Sequence, residues 1–313
     1  MFLPQWSESA FHRKGLLRGA QTMGIALFAM ALLGGGAPCR ADGGRSGVNN
    51  TAVDSEDLFG FIEGTDVGAA GEKELEVDST VRLGRGTGSF ADSASEFEFK
   101  YTAFNNFRIS AAATFAYYDI AGVTGLDDRH QADLQSVSFD ARFRLLERDH
   151  SPFGLTLSIQ PHWGFADEAS GVPINHFGWQ ALVMGDRELV PERLFGAVNL
   201  HFDTDRTQPL ARGGVEQEPT LGIGIALAGQ VMRGVWVGGE TRYFRGYEGA
   251  GLETFSGQAI YVGPTLYARI GEKVWLSATF NFQAWGGAVA APGALDLVNF
   301  ERYQAKFRFG YNF

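Results

Sequence analysis

Apolar and polar residues alternate along most of the chain from Lys73 onward, in stretches of about ten residues. In 136–145, for example, every second residue is apolar, with Val137, Phe139 and Phe143 among them. A helix would scatter such residues around its circumference, whereas a strand collects them on one face. The pattern predicts about twelve strands, over 73–84, 95–104, 107–119, 134–147, 153–165, 177–187, 194–203, 217–231, 235–245, 257–270, 274–285 and 299–313.

The links between these segments alternate between short and long. Asn105 and Asn106 alone separate the second and third segments, and the other short links include 148–152, 232–234 and 271–273. The links between the short ones are longer, at 85–94, 120–133, 166–176, 204–216, 246–256 and 286–298. A membrane barrel with both chain ends on one side has short turns there and longer loops opposite, whereas a soluble β-sandwich has no reason to sort its links. The sequence therefore predicts an all-β fold, a single antiparallel up-and-down transmembrane β-barrel over 73–313.

Composition agrees with this prediction. The chain has 42 Gly and 26 Phe among 313 residues, which suits strands joined by tight turns. A helical fold is disfavoured because each interior glycine costs about 1 kcal/mol. The mean hydropathy of -0.09 is also compatible, since strands that alternate lipid-facing and lumen-facing residues average near zero.

The N-terminal region predicts a signal peptide over 1–41. Positive residues in 12–18 precede an apolar run over 23–33, which is shorter than the roughly 20 residues that a transmembrane helix needs. Cleavage after Ala41 would leave no cysteine, which excludes disulfides, thiolate metal sites and a cysteine nucleophile. The alternative is a lipoprotein acylated at Cys39, and Pro38 fits that signal poorly.

Residues 42–72 do not alternate, and we expect them to form an N-terminal linker or partial plug in the periplasm. Within this segment, 58–62 is a small apolar island. It either enters the barrel mouth as a partial plug or docks at its rim, and the rim is the favoured position.

The last predicted strand places Tyr311 and the terminal Phe313 on its apolar face. This strand resembles the C-terminal targeting signal of bacterial outer-membrane barrels, and the whole chain broadly resembles bacterial outer-membrane, porin-like β-barrel proteins without matching one substrate-specific family. The resemblance implies export through the inner membrane, recognition by the barrel-assembly machinery, and a final location in the lipid of the outer membrane.

If the apolar faces point to lipid, the inward residues follow by parity. The pore-lining candidates are Glu74, Glu76, Asp78, Glu96, Glu98, Arg142, Arg144, Arg242, Arg269, Arg302, Lys306 and Arg308. In a closed barrel the basic row of the last strand faces the acidic row of the first, within interaction distance. These charges either form a salt-bridge ladder that closes the lumen or create a field across a narrow pore. Twelve strands lie between filled and open barrels, so size does not decide.

Net charge argues against nucleic acid as a partner. The chain carries -10, and removal of 1–41 leaves 22 basic and 35 acidic residues, or -13. No basic patch of the kind that binds nucleic acid is present.

The search for catalytic chemistry gives one weak candidate. His162 is predicted to point inward near Ser158 and Gln160, but it lacks the His-x-Ser arrangement of outer-membrane phospholipases. No metal-ligand spacing and no phosphate-binding loop occur, so no cofactor and no metal are expected. An autotransporter translocator is not expected, because such a barrel follows a large passenger and only about thirty residues of the processed chain precede the first strand.

These observations predict a porin-like outer-membrane channel, with no enzymatic activity, for passive passage of small polar solutes. One alternative is a closed structural or surface-binding barrel. The second is an outer-membrane lipid hydrolase.

Overall fold

The computed structural model describes residues 53–209 and 215–313, and the predicted signal peptide lies outside these ranges. Twelve long strands and one strand of two residues account for the secondary structure of these two ranges. They are β1 (Lys73–Leu83), β2 (Ser89–Phe104), β3 (Phe107–Ala121), β4 (Arg129–Leu146), β5 (Gly154–Ala166), β6 (Pro173–Val190), β7 (Leu194–Pro209), β8 (Glu216–Gln217), β9 (Thr220–Met232), β10 (Val235–Glu248), β11 (Thr254–Ile270), β12 (Val274–Ala288) and β13 (Tyr303–Asn312).

The long strands form one closed antiparallel ring. Each long strand pairs with the long strands before and after it in the chain, so β7 pairs with β9. The two-residue β8 pairs only with β7. The first and last strands, β1 and β13, also pair, with Asp78 opposite Arg308 and Val77 opposite Phe309. The predicted fold class, a closed up-and-down barrel of twelve strands, is confirmed. In the described residues, no helix has the length and apolar character needed to cross a bilayer.

Side-chain exposure follows the alternation of the sequence. On β4, Phe139 is 54% exposed on the outer surface, whereas its neighbours Ser138 and Asp140 are buried on the inner face. Phe139 packs edge-on against Trp163 of β5, with ring centroids 6.4 Å apart. The outside of the ring is therefore an apolar, aromatic-rich surface, and the inside is predominantly polar.

Several strands continue further toward the long links than the sequence predicted. Strand β2 begins at Ser89 rather than at 95, and β4 begins at Arg129 rather than at 134. On β4, a register shift between Thr114 and Phe115 of β3 changes the phase of the alternation, while the backbone ladder continues past Asp133 and Gln131 to Arg129. We attribute the early start of β2 to its height above the lipid, where no apolar alternation is needed.

The start of the last strand also differs from the prediction. Strand β13 begins at Tyr303 rather than at 299, and Arg302 precedes it as an exposed residue. The backbone N–H of Arg302 donates to the carbonyl oxygen of Gly84 at 2.8 Å. Arg302 therefore lies one residue before the last strand rather than within it, and a role in lining the pore stays a prediction.

Residues 53–72, which we call the plug, fold into the barrel. Both ends of the plug lie at the short-turn end: Gly71 N donates to Thr102 O at 2.8 Å, and Arg148 of the β4–β5 turn donates to Val53 O at 2.6 Å. Gly64 N donates to Glu56 O at 3.0 Å, so the chain goes up into the lumen and returns. The expected docking of the apolar island at the rim was wrong.

The inner wall explains why the island enters. Leu58, Phe59 and Ile62 are buried in one apolar cluster with inward-facing residues near the short turns. The wall members of that cluster are Phe195, Ala197, Ala226, Ala228, Trp236, Tyr267 and Trp275. Burial of a Leu, Ile or Phe side chain contributes about 1.5–3 kcal/mol, an amount that docking at an exposed rim would not provide in full.

Candidate functional site

The plug is strongly acidic and lies against a basic wall. Residues 53–72 contain six carboxylates, Asp54, Glu56, Asp57, Glu63, Asp66 and Glu72, and no Lys or Arg. The barrel wall and one short turn supply cations that contact them. These cations are Lys100, Arg108, Arg142, Arg144, Arg148 and Arg308.

Glu56 is the centre of the first anchor. Its Oε1 lies 2.9 Å from Lys100 Nζ and 3.5 Å from an Arg142 nitrogen, and Oε2 accepts a hydrogen bond from Arg108. Burial alone would raise the pKa of this carboxyl, but Arg108, Lys100 and Arg142 outweigh it and hold the pKa well below its usual range. The carboxylate is therefore charged and fully paired at neutral pH.

Asp57 forms a second ion pair with the barrel wall. This pair uses a basic residue that the predicted charge ladder between β1 and β13 assigned to an acidic residue of β1. Arg308 of β13 contacts Asp57 at 2.5 Å and also donates to Gly60 O, although Asp78 of β1 is its register partner. The neighbouring Lys306 does pair with Asp78, at 2.5 Å. Of the basic residues on β13, Lys306 therefore pairs with the barrel wall and Arg308 pairs with the plug.

Hydrogen bonds from the wall fix the tip of the plug at mid-height. The Glu240 carboxylate accepts from Phe61 N at 2.9 Å and Ile62 N at 3.1 Å. Asn199 accepts from Glu63 N and donates to Glu63 O, both at 2.8 Å. These bonds satisfy backbone groups that would otherwise be buried without partners.

The ring of Phe61 lies between two cations. The guanidinium carbon of Arg242 is 3.7 Å from the ring centroid, and Lys306 Nζ is 5.3 Å from it. Such cation–π contacts contribute about 0.5–2 kcal/mol each. Phe61 thereby caps the plug on the side of the long links.

A third anchor lies at the short-turn end. Arg148 contacts Asp66 at 2.5 Å and Asp186 at 3.0 Å, and Asp186 accepts from Thr65 Oγ1 at 2.7 Å. Asp54 lies close by, where burial and the carboxylates of Asp66 and Glu56 raise its pKa to about 8. The base of the plug is therefore attached through charged groups of both signs.

The side chains in the two halves of the lumen differ in their exposure to solvent. Around the plug, the side chains of Lys100 and Arg108 are only 5% and 3% exposed. Toward the long links, those of His162 and Asp205 are 19% and 27% exposed. We call this wetter half, lined by Gln160, His162, His176, Asp203 and Asp205, the vestibule. The plug therefore occupies the half of the lumen near the short turns, whereas the side chains of the vestibule keep partial exposure.

The link between β12 and β13 folds against the inner wall at the mouth of the vestibule. Gln283 accepts from Asp296 N at 2.6 Å and donates to Asp296 O at 3.0 Å. Tyr261 donates its hydroxyl proton to Glu301 O at 2.5 Å. This link narrows the mouth on the side of β10–β12.

The remaining pore-lining candidates occupy different places. Glu74 and Glu76 contact Lys100 beside the plug, and Glu98 lies 4.0 Å from the same ammonium group. Higher in the lumen, Glu96 accepts from Thr114 at 3.1 Å, and Arg242 donates to Gln304 at 2.5 Å. Arg144 reaches Asp66 at 3.4 Å, and Arg269 donates to Glu272 O in an exposed short turn.

The strongest attachment residues were missed from the sequence. Glu56 and Asp57 were assigned to a linker, and Arg108 and Arg148 adjoin the short turns. The sequence contained part of the evidence for this attachment, because a segment with six acidic and no basic residues precedes a barrel with inward arginines. It could not be interpreted without knowing that the segment enters the lumen.

The candidate hydrolase residues do not assemble into a serine–histidine pair. Ser158 donates to Asp140, whereas His162 Nε2 lies 3.0 Å from Asp205 Oδ1 and 3.1 Å from His176 Nε2. A nucleophilic serine must be hydrogen-bonded to its base or come within that distance. The arrangement around His162 is instead two imidazoles and a carboxylate.

The two proposed targeting residues lie on the outer face. Phe313 is 51% exposed and stacks on Phe99 with ring centroids 6.5 Å apart, and Tyr311 is 38% exposed. Their role in recognition by the assembly machinery stays a prediction.

Comparison with solved structures places this geometry in a known class. The COG4313 outer membrane channel from Pseudomonas putida F1 has 12% sequence identity and a TM-score of 0.54, over 80% of this chain and 98% of that chain. The NanC porin has 10% identity and a TM-score of 0.46, over 76% and 98%. The translocator domain of autotransporter NalP from Neisseria meningitidis has 12% identity and a TM-score of 0.46, over 80% and 91%. The first of these shows that the fold is that of an outer-membrane β-barrel.

The family follows from the sequence itself. The chain belongs to the family of unknown function DUF6662, whose family model matches residues 51–313. This range contains the plug as well as the barrel. No curated protein matches the chain significantly in sequence.

Proposed function

We propose that this protein is an outer-membrane channel for passive passage of small polar solutes, closed in the structure by its own N-terminal plug. The observation that carries the proposal is the acidic plug on a cationic wall. A barrel with a purely structural role can fill its lumen with wall side chains and needs no separate segment inside. Here the occluding segment continues into β1 at its C-terminal end, and much of its attachment to the wall is by noncovalent polar contacts.

The direction of passage follows from the assembly expected of such barrels. Short turns and both chain ends face the periplasm in bacterial single-chain barrels. We propose that the plug closes the periplasmic half and that the vestibule opens to the cell exterior. The apolar outer band would contact outer-membrane lipid, and Tyr311 and Phe313 would present the C-terminal strand to the assembly machinery.

The proposal involves no covalent chemistry. The hydrolase alternative has lost its specific support, because Ser158 and His162 contact different partners. The closed structural barrel is the main alternative, and the mobility of the plug distinguishes it from a channel.

Conductance in planar bilayers tests the proposal. We expect wild-type protein to be mostly closed, and the double variant Glu56→Gln/Asp57→Asn to show discrete openings with an open probability at least about tenfold higher. A matched control is Glu272→Gln/Asp149→Asn, which removes two exposed carboxylates from short turns at the same end of the barrel. Heat-modifiable migration in gels would show that all three proteins fold.

Two results would contradict the proposal. Absence of discrete conductance in the folded plug variant would favour the closed structural barrel. Equal conductance in the wild type, the plug variant and the control would show that the plug does not obstruct the pathway.

A further inference from the structure

Two histidines and one aspartate converge on one point of the vestibule wall. His162 of β5, His176 of β6 and Asp205 of β7 come from three adjacent strands, each three or four residues from the long-link end of its strand. Their ligand atoms all lie within 4.8 Å of one another. His162 Nε2 and His176 Nε2 are 3.1 Å apart, and each is about 3 Å from Asp205 Oδ1, at 3.0 and 2.9 Å.

We propose that these three side chains bind a divalent transition-metal ion such as Zn²⁺. Metal–nitrogen and metal–oxygen bonds of about 2.0–2.1 Å in a tetrahedron place ligand atoms roughly 3.3 Å apart. The observed triangle is slightly smaller than this, so the three atoms need to separate by only a few tenths of an ångström. Imidazole and carboxylate together suit zinc and its neighbours in the first transition row rather than Mg²⁺ or Ca²⁺, which prefer all-oxygen sites.

The backbone around this point keeps space free. Gly178 is the register partner of His162 on one side and of Asp205 on the other. A Cβ at Gly178 would lie 1.9 Å from Asp205 Oδ1 and 2.6 Å from His162 Nε2. A Cβ at Gly164 would lie 3.1–3.2 Å from the His176 side chain. Glycine at both positions therefore allows the imidazoles and the carboxylate to converge.

A second layer of contacts orients one of the ligands. His176 Nδ1 is 2.9 Å from Thr207 Oγ1, which leaves Nε2 directed at the other two groups. An outer partner on the second ring nitrogen is the usual arrangement of metal-binding histidines. Asp203 lies two residues before Asp205 on the same inward face.

The site is reached from the vestibule. The three side chains are 12–27% exposed, so a hydrated ion can reach them, and a three-ligand site leaves a fourth position for water or a solute. Sequence spacing could not reveal this site, because the ligands lie 14 and 29 residues apart on separate strands. Binding of the metal does not depend on whether the plug opens.

Calorimetric titration of the purified full-length protein with Zn²⁺ in detergent tests this inference. We expect one saturable site per chain, with Mg²⁺ and Ca²⁺ giving no comparable signal. His176→Gln and His162→Ala should each weaken binding by more than 100-fold, and Thr207→Val by about 10–100-fold, the usual effect of losing an outer partner. Co²⁺ should give the visible absorption of a low-coordinate site in wild-type protein and not in His176→Gln.

The matched control is His130→Ala. His130 also pairs with an aspartate, Asp119 at 3.2 Å, but it lies near the outer rim and is largely exposed. Its loss should leave the stoichiometry and affinity unchanged. Gly178→Ala provides a variant that keeps all three ligands, and it should weaken binding while the barrel still shows heat-modifiable migration. The inference is overturned if wild-type protein does not bind Zn²⁺, or if binding survives in folded His162→Ala and His176→Gln proteins.

Discussion

Replacement of Glu56 by Gln is the most direct test of how the plug is held. The three cations around Glu56 differ in what else they contact. Lys100 also contacts Glu76 and Glu74, and Arg142 contacts Glu63 at 2.5 Å and Asp140 at 2.8 Å. Arg108 is 3% exposed, and among the described residues Glu56 is the carboxylate within salt-bridge distance of it.

The magnitude follows from this asymmetry. Removal of one partner from a buried ion pair costs about 3–5 kcal/mol, because the other charge stays buried without compensation. Lys100 and Arg142 keep other carboxylates, so the lower end of this range applies, mainly through Arg108. A cost of about 3 kcal/mol corresponds to roughly a 100-fold lower ratio of inserted to displaced plug.

Hydrogen exchange measures this ratio without requiring a conducting channel. The amides of Phe61, Ile62 and Glu63 donate to Glu240 and Asn199 of the wall, so they are protected only while the plug is inserted. In Glu56→Gln they should exchange about 100-fold faster. The strand amides of the barrel should be unchanged and serve as the internal control.

A double variant tests the physical reason. Glu56→Gln combined with Arg108→Met removes both charges, so the penalty of an unpaired guanidinium disappears. The double variant should therefore recover most of the protection lost in Glu56→Gln. If it is as unprotected as the sum of the two single variants, the reasoning from the buried Arg108 charge is refuted.

Two further predictions concern pH and the lipid-facing surface. Because the pKa of Asp54 is raised from 3.8 to about 8 in the inserted plug, the contribution of its neutral carboxyl is fully present below about pH 4 and declines as pH rises to about 8. Exchange of plug amides, corrected for intrinsic rates, should therefore accelerate as pH rises from about 4 to about 8 and level off above that, and Asp54→Asn should remove this dependence; an unchanged dependence would contradict the assignment. Phe139→Arg should lower the free energy of unfolding in vesicles by about 2–4 kcal/mol, whereas Gln160→Arg on the inner face should have a much smaller effect, and equal effects would refute the assigned orientation.

The barrel could be predicted because the membrane imposes a local rule. Each lipid-facing position, such as Phe97 or Phe139, must be apolar, and each neighbour faces water, so the period of two is present in every strand. The rule applies only at the height of the lipid. It therefore gave the short-turn ends of β2 and β4 correctly and their long-link ends, at Ser89 and Arg129, incorrectly.

The contents of the lumen could not be predicted in the same way. Which side chains meet inside a barrel depends on which residues of distant strands lie at the same height. A local sequence pattern does not contain this information. Trp236 and Phe195 point inward and bind the apolar island, although inward positions were expected to be polar. His162 was predicted to point inward, whereas His176 and Asp205 fell in the predicted links 166–176 and 204–216. Their convergence required the register of β5, β6 and β7.

The absence of any lysine or arginine in residues 53–72 has a consequence for ion selectivity. While inserted, these residues act as a tethered polyanion that neutralises the guanidinium groups around them. Once they leave, Arg108 and Arg308 would lose those counter-charges, whereas Arg142 keeps Asp140 and Arg148 keeps Asp186. Small anions should then bind at Arg108 and Arg308 in an opened barrel, which favours anions over cations at this level of the conduit, and they would compete with the return of the tethered segment.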